Sequence, residues 1–484
     1  MNNLKEKTAK GLFWGFINNG STQLLNLVIG IFMARLLTPS DYGIVGVLAI
    51  FSAIASALQT SGFSQALVNL KTPTGNDYNS VFWFNISVSL TLYTALFLGA
   101  PIIAKFFHQD CLVSVSRVLF LTLPIYAAGV SAQAYLIKNM LNREIAIIAI
   151  ISLIVSGTIG ITMALNDFSY WSLVAQQISS AIIVVTGRYL FISWHPQLSI
   201  DFKPVKRMFG FSVKLLVTNI INIINFHILT VVFGRLLPIK IVGYYSQANK
   251  WNNLAKTTIA DALGQVSQAV LVSVNDEQER EIRVFRKLMR FTAFLSFPSL
   301  LGLALVSREF ILLTIGSQWE PSIPLLQILC IGGAFMPFYM LYHNLTISSG
   351  RSDIYMWCQL GQMIMQLLLV YILYPYGITA IVWGYTVLTI VWIGIWQIVA
   401  SKLIGVSYTS VLADLGPFLL VTLIVLGTTW ILTDWITSVN LPQRFQLALL
   451  LFLRIGVAAS LYAGIMKMLH ATVMEECLRF LRKK

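Results

Sequence analysis

The sequence predicts an all-α integral membrane protein of fourteen transmembrane helices: two six-helix lobes related by a parallel pseudo-two-fold repeat, plus two C-terminal helices. Three observations predict it. Hydrophobic residues make up 57% of the 484 residues and charged residues only 11%, against about 25% charged in an ordinary soluble domain. The apolar runs are continuous and about 20 residues long, the length of a membrane-spanning helix, and do not alternate as the strands of an outer-membrane barrel do. Short matches recur at an offset near 200 residues. A chain with a mean hydropathy of +0.76 cannot cover a soluble surface. A soluble enzyme, a disordered chain and a nucleic-acid-binding domain are thereby excluded.

The spans are expected at residues 11–36, 43–66, 81–104, 112–137, 145–166 and 170–193, then at 208–236, 241–272, 290–313, 321–348, 354–374 and 378–401, with two more at 411–433 and 445–469. The N-terminal MNNLKEKTAK leads into a long apolar run followed by many others, so it reads as the start of a first span and not as a cleaved signal peptide. The segment 241–272 holds Lys250, Lys256 and Asp261, and it is kept as a span because the even count and the repeat require it. The hydrophilic stretch Asn275–Arg290 carries both signs of charge and is expected to form a cytoplasmic amphipathic helix.

An even number of spans puts both termini on one side, and Lys and Arg choose the side. With the termini cytoplasmic, 22 of the 33 Lys and Arg fall in inner segments, six in outer segments and five within spans. The net charge of +14 is then the ordinary inner-loop bias of a multi-pass cytoplasmic-membrane protein. The four cysteines form no CxxC pair and no metal spacing, the five histidines are scattered, and His227 reads as a satisfied interior residue. Neither a G-x-x-x-x-G-K-[ST] loop nor an H-E-x-x-H motif is present. No metal, cofactor or enzyme activity is expected. The short outer loops argue against a membrane glycosyl ligase.

Arg35-Leu36-Leu37 recurs as Arg235-Leu236-Leu237, Gly43 as Gly243 and Asn19 as Asn219, while Ser64-Gln65-Ala66 recurs as Ser267-Gln268-Ala269 and Arg143 has a counterpart in Arg351. Their common order makes spans 1–6 and 7–12 two copies of one unit. Each copy has an even number of spans, so both have the same orientation, which is a parallel repeat. The expected organisation is an N-lobe at 1–200, a C-lobe at 201–405 and the last two spans with a cytoplasmic tail at 406–484. Two such lobes face one another across a central cavity and expose it to alternate sides, so the architecture points to a transporter.

The candidate site lies on polar stripes. Span one carries Asn19, Thr22, Gln23 and Asn26 on one helix face, and span seven carries Lys214, Thr218, Asn222 and Asn225 at spacings of 4, 4 and 3. Span eight has Gln247, Lys250, Thr257 and Asp261 near one face, with Lys256 to the side. Amides alone can be helix–helix glue worth roughly 0.6 kcal/mol per bond. A cation at mid-membrane costs about 2.5–3.5 kcal/mol on insertion scales, so Lys214, Lys250, Lys256 and Arg117 are candidate binding residues. Arg35 and Arg235 sit at outer helix ends, where snorkelling explains them. Arg454, ten residues into span fourteen, marks either a groove beside the lobes or a helix–helix contact. Five cations within spans against one placed acid, Asp261, suggest an anionic substrate.

Several stretches resemble bacterial polysaccharide exporters: Leu4-Lys5-Glu6-Lys7-Thr8 with Gly11 and Trp14; Ala34-Arg35-Leu36-Leu37-Thr38-Pro39-Ser40-Asp41-Tyr42-Gly43; Gly62-Phe63-Ser64-Gln65-Ala66-Leu67-Val68; Gly243-Tyr244-Tyr245-Ser246; and Gly316-Ser317-Gln318-Trp319 followed by Pro324-Leu325-Leu326-Gln327. Over about residues 4–405 the chain is similar to the polysaccharide transporters of the multidrug/oligosaccharidyl-lipid/polysaccharide (MOP) superfamily, nearest the colanic acid and teichuronic acid exporters. The resemblance implies a flippase that moves an undecaprenyl-pyrophosphate-linked oligosaccharide from the inner to the outer leaflet for cell-surface polysaccharide biosynthesis, lipopolysaccharide included. Its implied partners are that lipid-linked oligosaccharide, membrane lipid and the polysaccharide polymerase machinery, with no nucleic acid. The pyrophosphate would seek Lys214, Lys250 and Lys256, and the amide stripes would meet sugar hydroxyls. Related lipid II flippases place arginines on the cavity face of span one; this chain offers amides there, so no arginine site carries over. The competing expectation is a multidrug or organic-cation antiporter of the same superfamily, which would need buried acids in span one or seven.

Overall fold

The structure is a computed structural model. It describes the backbone of residues 2–60, 63–198, 201–274, 277–438, 442–469 and 474–475; the side chains of 2–13, 16–17, 55–60, 207–208, 210–218, 261–266, 268–269, 272–273 and 352 lie outside the described set. No strand occurs among the described residues. Helices are the local solution a hydrocarbon environment allows, because each pairs its own backbone N–H and C=O groups.

The chain divides into two compact units, Met1–Gly243 and Tyr244–Lys484. The first holds α1 (Asn2–Leu36), α2 (Pro39–Thr60), α3 (Phe63–Asn69), α4 (Gly75–Phe107), α5 (Leu112–Leu119), α6 (Thr122–Ala128), α7 (Val130–Lys138), α8 (Asn142–Leu165), α9 (Trp171–Leu190), α10 (Lys203–Leu236) and the opening turn of α11 (Ile239–Val274). The second holds the rest of α11, then α12 (Gln278–Thr314), α13 (Ser322–Gly333), α14 (Met336–Ser348), α15 (Ser352–Leu373), α16 (Gly377–Ile404), α17 (Tyr408–Asp434) and α18 (Gln443–Met468).

In the first unit α1 lies along α8, α8 along α9, and α10 packs on α2, α3 and α4. This last contact carries the unit past residue 200, where the N-lobe was expected to end, as far as Gly243. In the second unit α12 is the centre, touching α13, α17 and α18, with α16 against α13, α14 and α15. Its core holds Phe297, Phe338, Tyr342 and Trp396, each buried. Leu98 and Ile102 of α4, Leu420, Ile424 and Ile431 of α17 and Phe452 of α18 are exposed. Large apolar side chains in such numbers on helices this long are the mark of a lipid-facing surface.

Among the described residues each expected span falls mostly on helix; 43–66 takes in parts of α2 and α3, with 61–62 outside the described residues, and two others are divided. The stretch expected as one helix over 112–137 is α5, α6 and α7, with a bend of 42° between Leu112–Ala128 and Val130–Lys138. Gly129 sits at that bend, and Pro124, which lacks a backbone donor, lies near the start of α6, where α5 and α6 part. The stretch 321–348 is α13 and α14, with Pro337 in the first turn of α14. Conversely, the cytoplasmic helix expected at 275–290 and the span at 290–313 are one helix, α12, of 37 residues. At 1.5 Å per residue it is about 55 Å long, so it overshoots a hydrocarbon core of about 30 Å. Among the described residues nine helical stretches are long and apolar enough to cross a membrane, or ten with the bent pair taken as one span. One of the nine, Asp353–Ile404, contains both α15 and α16. The helices of expected spans one, two and eight are not among them, and each holds residues outside the described set; the described apolar stretch of α2 is Pro39–Ile54.

The Thr38-Pro39-Ser40-Asp41-Tyr42-Gly43 stretch has a local physical reason. The Thr38 backbone N–H donates to Asp41 Oδ2 at 2.8 Å, and the Asp41 N–H returns to Thr38 Oγ1 at 3.4 Å. This is a capping box at the start of α2, with Pro39 at the first helical position where its missing N–H costs nothing. Asp41 Oδ1 also accepts from Ser169. Thr74 and Asp77 repeat the box at the start of α4. Gly43, one turn into α2, lies so close to the opening of α11 that an added Cβ would overlap the Ile239 carbonyl oxygen; Gly243, one turn into α11, lies equally close to the Pro39 carbonyl oxygen. The two contacts are reciprocal: 39 pairs with 243 and 43 with 239.

Because backbone and not a flexible side chain fills the space, Gly43→Ala and Gly243→Ala should each destabilise the protein by about 1–3 kcal/mol. Gly99→Ala, in an open part of α4, should be neutral or stabilising by up to about 1 kcal/mol. Thermal melting of the detergent-solubilised full chain checks this; equal melting temperatures for all three variants would refute the close packing.

Candidate functional site

On α1, Asn19 and Asn26 are exposed and Gln23 is half-buried. The exposed apolar residues of the same helix, Leu24, Val28 and Phe32, lie on the opposite face at 3.6 residues per turn. One face thus suits lipid and the other water. The Thr22 hydroxyl is already spent within the helix, donating to Asn18 O at 2.7 Å and Asn19 O at 3.1 Å. Asn19, Gln23 and Asn26 are therefore the part of this stripe with amides on offer.

On α10, the Lys214 and Thr218 side chains lie outside the described residues; the helix places their positions on one face with Asn222 and Asn225, both half-buried. α1 and α10 belong to the same unit but have different packing neighbours. Arg117, on α5, is braced against α4: its Nε donates to Phe97 O at 3.3 Å, its guanidinium lies 4.4 Å from the Phe97 ring centroid, and Tyr93 donates to its carbonyl. Arg235 stacks on Phe106 and meets the His108 ring at 2.7 Å, an anchored position at the helix end where snorkelling was expected.

In the second unit, Lys250 and Lys256 of α11 are half-buried. The Lys250 ammonium is 5.4 Å from the Trp251 ring centroid, close enough for cation–π attraction. Around them α11 presents buried amides: Gln247 has no hydrogen-bond partner for either amide atom, and Asn252 none for Oδ1. Asn252 packs where Gly333 of α13 leaves room. The Thr257 hydroxyl folds back on Asn253 O at 2.7 Å. The Asp261 side chain lies outside the described residues. Reading the sequence missed a second amide stripe, Gln359, Gln362 and Gln366 of α15, all buried. Their spacing of 3 and 4 within a span was the available signal.

It also missed Glu309. Counted near the end of its span, this acid lies inside the unit and pairs with Arg454: Nη1 to Oε1 is 2.8 Å, and Nε donates to Thr433 Oγ1 at 3.1 Å. Both charges are buried. Arg454 thus makes a helix–helix contact, joining α18 to α12 and α17, and its charge is balanced within the unit. The surplus that remains rests on the lysines and Arg117.

Many long apolar helices, some of them with amide faces, define a class, the multi-pass membrane proteins. Over 95% of this chain and 99% of the other, the fold matches the lipid II flippase MurJ in an inward closed conformation, with a TM-score of 0.76 at 14% identity. It matches an inward-facing multidrug resistance MATE family transporter of the MOP superfamily with a TM-score of 0.57 at 16% identity, over 79% of this chain and 95% of that one. Within that class the chain belongs to the polysaccharide biosynthesis protein family, whose model matches residues 32–324. It is 25% identical to the succinoglycan biosynthesis transport protein ExoT of Rhizobium meliloti, over 85% of this chain and 81% of that one. It is 23% identical to the teichuronic acid biosynthesis protein TuaB of Bacillus subtilis, over 84% and 83%. The lipopolysaccharide biosynthesis protein WzxC of Escherichia coli is 24% identical over 72% of each chain.

Two tests follow from this geometry. In a chain whose four cysteines are replaced, Asn19→Cys and Asn26→Cys should react with a membrane-impermeant maleimide in right-side-out or inside-out vesicles, while Leu24→Cys and Val28→Cys should not. Equal labelling of the two faces would remove α1 from the site. Separately, Arg454→Leu or Glu309→Leu should cost about 3–5 kcal/mol, because each leaves a buried charge unpaired, and the double apolar replacement should recover most of it. A double-mutant cycle on thermal melting measures the coupling.

Proposed function

We propose that this chain is a flippase that carries an undecaprenyl-pyrophosphate-linked oligosaccharide repeat unit from the inner to the outer leaflet of the cytoplasmic membrane, for cell-surface polysaccharide biosynthesis. The observation that carries the reading is the conjunction of family membership with lysines and unpartnered amides on α11, a helix inside a membrane fold. Three relatives are named for three different polymers, which favours a cargo recognised by its carrier end more than by its sugars. A pyrophosphate is a compact double anion. Lys214, Lys250 and Lys256 offer it Coulomb attraction that is stronger in a low-dielectric wall than in water, and each charge-assisted hydrogen bond contributes about 1.5–3 kcal/mol. Asn19, Gln23, Asn26, Thr218, Asn222 and Asn225 supply donors and acceptors suited to sugar hydroxyls, and Arg117 stands as a further cation.

In this reading fourteen spans form two six-helix lobes, 1–200 and 201–405, with 406–484 apart and both termini cytoplasmic. The reciprocal contact of 39 with 243 and 43 with 239 supports the repeat, because a two-fold axis generates that exchange of partners. Alternating access then requires two states whose balance the cargo shifts by binding one better than the other. Spans one and seven contain no Asp or Glu, which weighs against a cation antiporter.

Depletion of the protein should trap full-length lipid-linked repeat units on the inner face, shielded in intact spheroplasts from a membrane-impermeant sugar-modifying reagent. Lys214→Ala and Lys250→Ala should slow translocation about 10- to 100-fold, the rate equivalent of one lost charge-assisted contact. Normal arrival of repeat units at the outer face after depletion, with redundant transporters deleted, would overturn the reading.

A further inference from the structure

At the end of α12 opposite Gln278, a cavity of about 490 Å³ opens between α12, α13, α17 and α18. Its volume falls within the range of about 300–1,000 Å³ usual for small-molecule sites. Glu309, Gln327, Trp430, Asp434, Gln446 and Arg454 line it. It meets a second, apolar cavity of about 480 Å³ at Leu305 and Arg454, which line both.

The polar cavity is unusual in what it leaves over. Glu309 is 3% exposed. Its Oε1 is taken by Arg454, while its Oε2 has no hydrogen-bond partner. An acceptor buried in that way costs free energy until a donor reaches it. Charge narrows the choice of donor. Two carboxylates, Glu309 and Asp434, balance the two lining guanidiniums, and these are already drawn to acids, Arg454 to Glu309 at 2.8 Å and Arg308 to Glu320 at 3.6 Å, so an anion finds no surplus of positive charge. A metal ion would meet the Arg454 guanidinium, already 2.8 Å from Glu309. A neutral polyol meets neither objection: its hydroxyls donate to the carboxylates and accept from the amide of Gln327 and the guanidinium. Trp430 is 50% exposed and adds a flat apolar face for the C–H side of a sugar ring. The Gln446 amide is committed to the Ile436 and Thr437 carbonyls and holds the rim.

We propose that this cavity is a saccharide-binding site, separate from the lysine-bearing face of α11, that holds the sugar part of an amphiphilic ligand through Glu309, Asp434, Gln327 and Trp430. This rests on the flippase reading for the identity of the ligand as a lipid-linked glycan. Under the proposed topology the cavity lies at the outer face, where sugar arrives after translocation.

The test uses the full chain in nanodiscs and three probes: a prenyl-pyrophosphoryl trisaccharide, the same prenyl pyrophosphate without sugar, and the free trisaccharide. Native mass spectrometry should show two equivalents of the sugar-bearing probe and one of the sugar-free probe. The free trisaccharide should compete for one equivalent only. Trp430→Ala and Gln327→Ala should weaken that sugar-dependent equivalent at least tenfold and leave the other unchanged, whereas Lys250→Ala should do the reverse. Trp430→Tyr, which keeps a flat ring, should retain binding and so separates stacking from misfolding. Equal stoichiometry for the sugar-bearing and sugar-free probes overturns the proposal, with or without the variants. So does full binding by both Trp430→Ala and Gln327→Ala. Loss of the Lys250-dependent equivalent alone in the wild-type chain would instead count against the flippase reading while leaving the saccharide site standing.

Discussion

The hydrocarbon interior offers no water to hydrogen-bond with, and the rest of this structure depends on that constraint. It makes most of the described residues helical, since a helix pairs its own backbone. It also disciplines the side chains. The hydroxyls of Thr158, Thr292, Thr346 and Thr422 each fold back to the carbonyl four residues earlier, at 2.7–2.8 Å, a local pairing that makes them nearly neutral passengers in apolar helices. Cations are tied down in the same way. Lys138 donates to the Val68 and Leu70 carbonyls at the end of α3, and Arg188 to the Gly129 carbonyl at the bend between α6 and α7.

Against that economy, leftover hydrogen-bonding capacity stands out. Gln247 of α11 and Gln366 of α15 are buried, and His343 of α14 half-buried, each with at least one polar atom unpartnered. A polar atom kept in such a place costs about 1–3 kcal/mol when unmet. The helix gains nothing from it, so its presence points to a partner outside the chain. Arg454 shows the opposite outcome. The sequence makes it conspicuous, yet Glu309 and Thr433 absorb its charge, and what then stands out is the spare oxygen of Glu309.

Much of the fold is legible in the sequence because the signals are local. Length and polarity of an apolar run suffice to mark a helix. Thr38, Pro39 and Asp41 specify a helix start within four residues, and Pro124 and Gly129 each mark a break. The reading failed where a helix end is defined by competition: nothing local to Asn275–Arg290 says that its helix runs on through 314, since amphipathic and apolar periodicities are the same 3.6 residues. The site is less legible. Spacing puts Asn19, Gln23 and Asn26 on one face, but only neighbours decide whether that face meets lipid, helix or water.

The sequence by itself determined the class: a many-helix membrane protein with polar helix faces and a family signature that the comparison with relatives bears out. The tertiary structure decided which polar residues are spent and which remain. Glu309 and Arg454 are 145 residues apart, as are no two residues a periodicity can relate, and their 2.8 Å contact exists because α12 and α18 pack side by side. Gly43 and Gly243 look like unremarkable helix positions until each is found against the other helix's first carbonyl. Pairing of charges and close approach of backbones depend on distances across the fold, and those are set by how helices pack, which no single helix encodes.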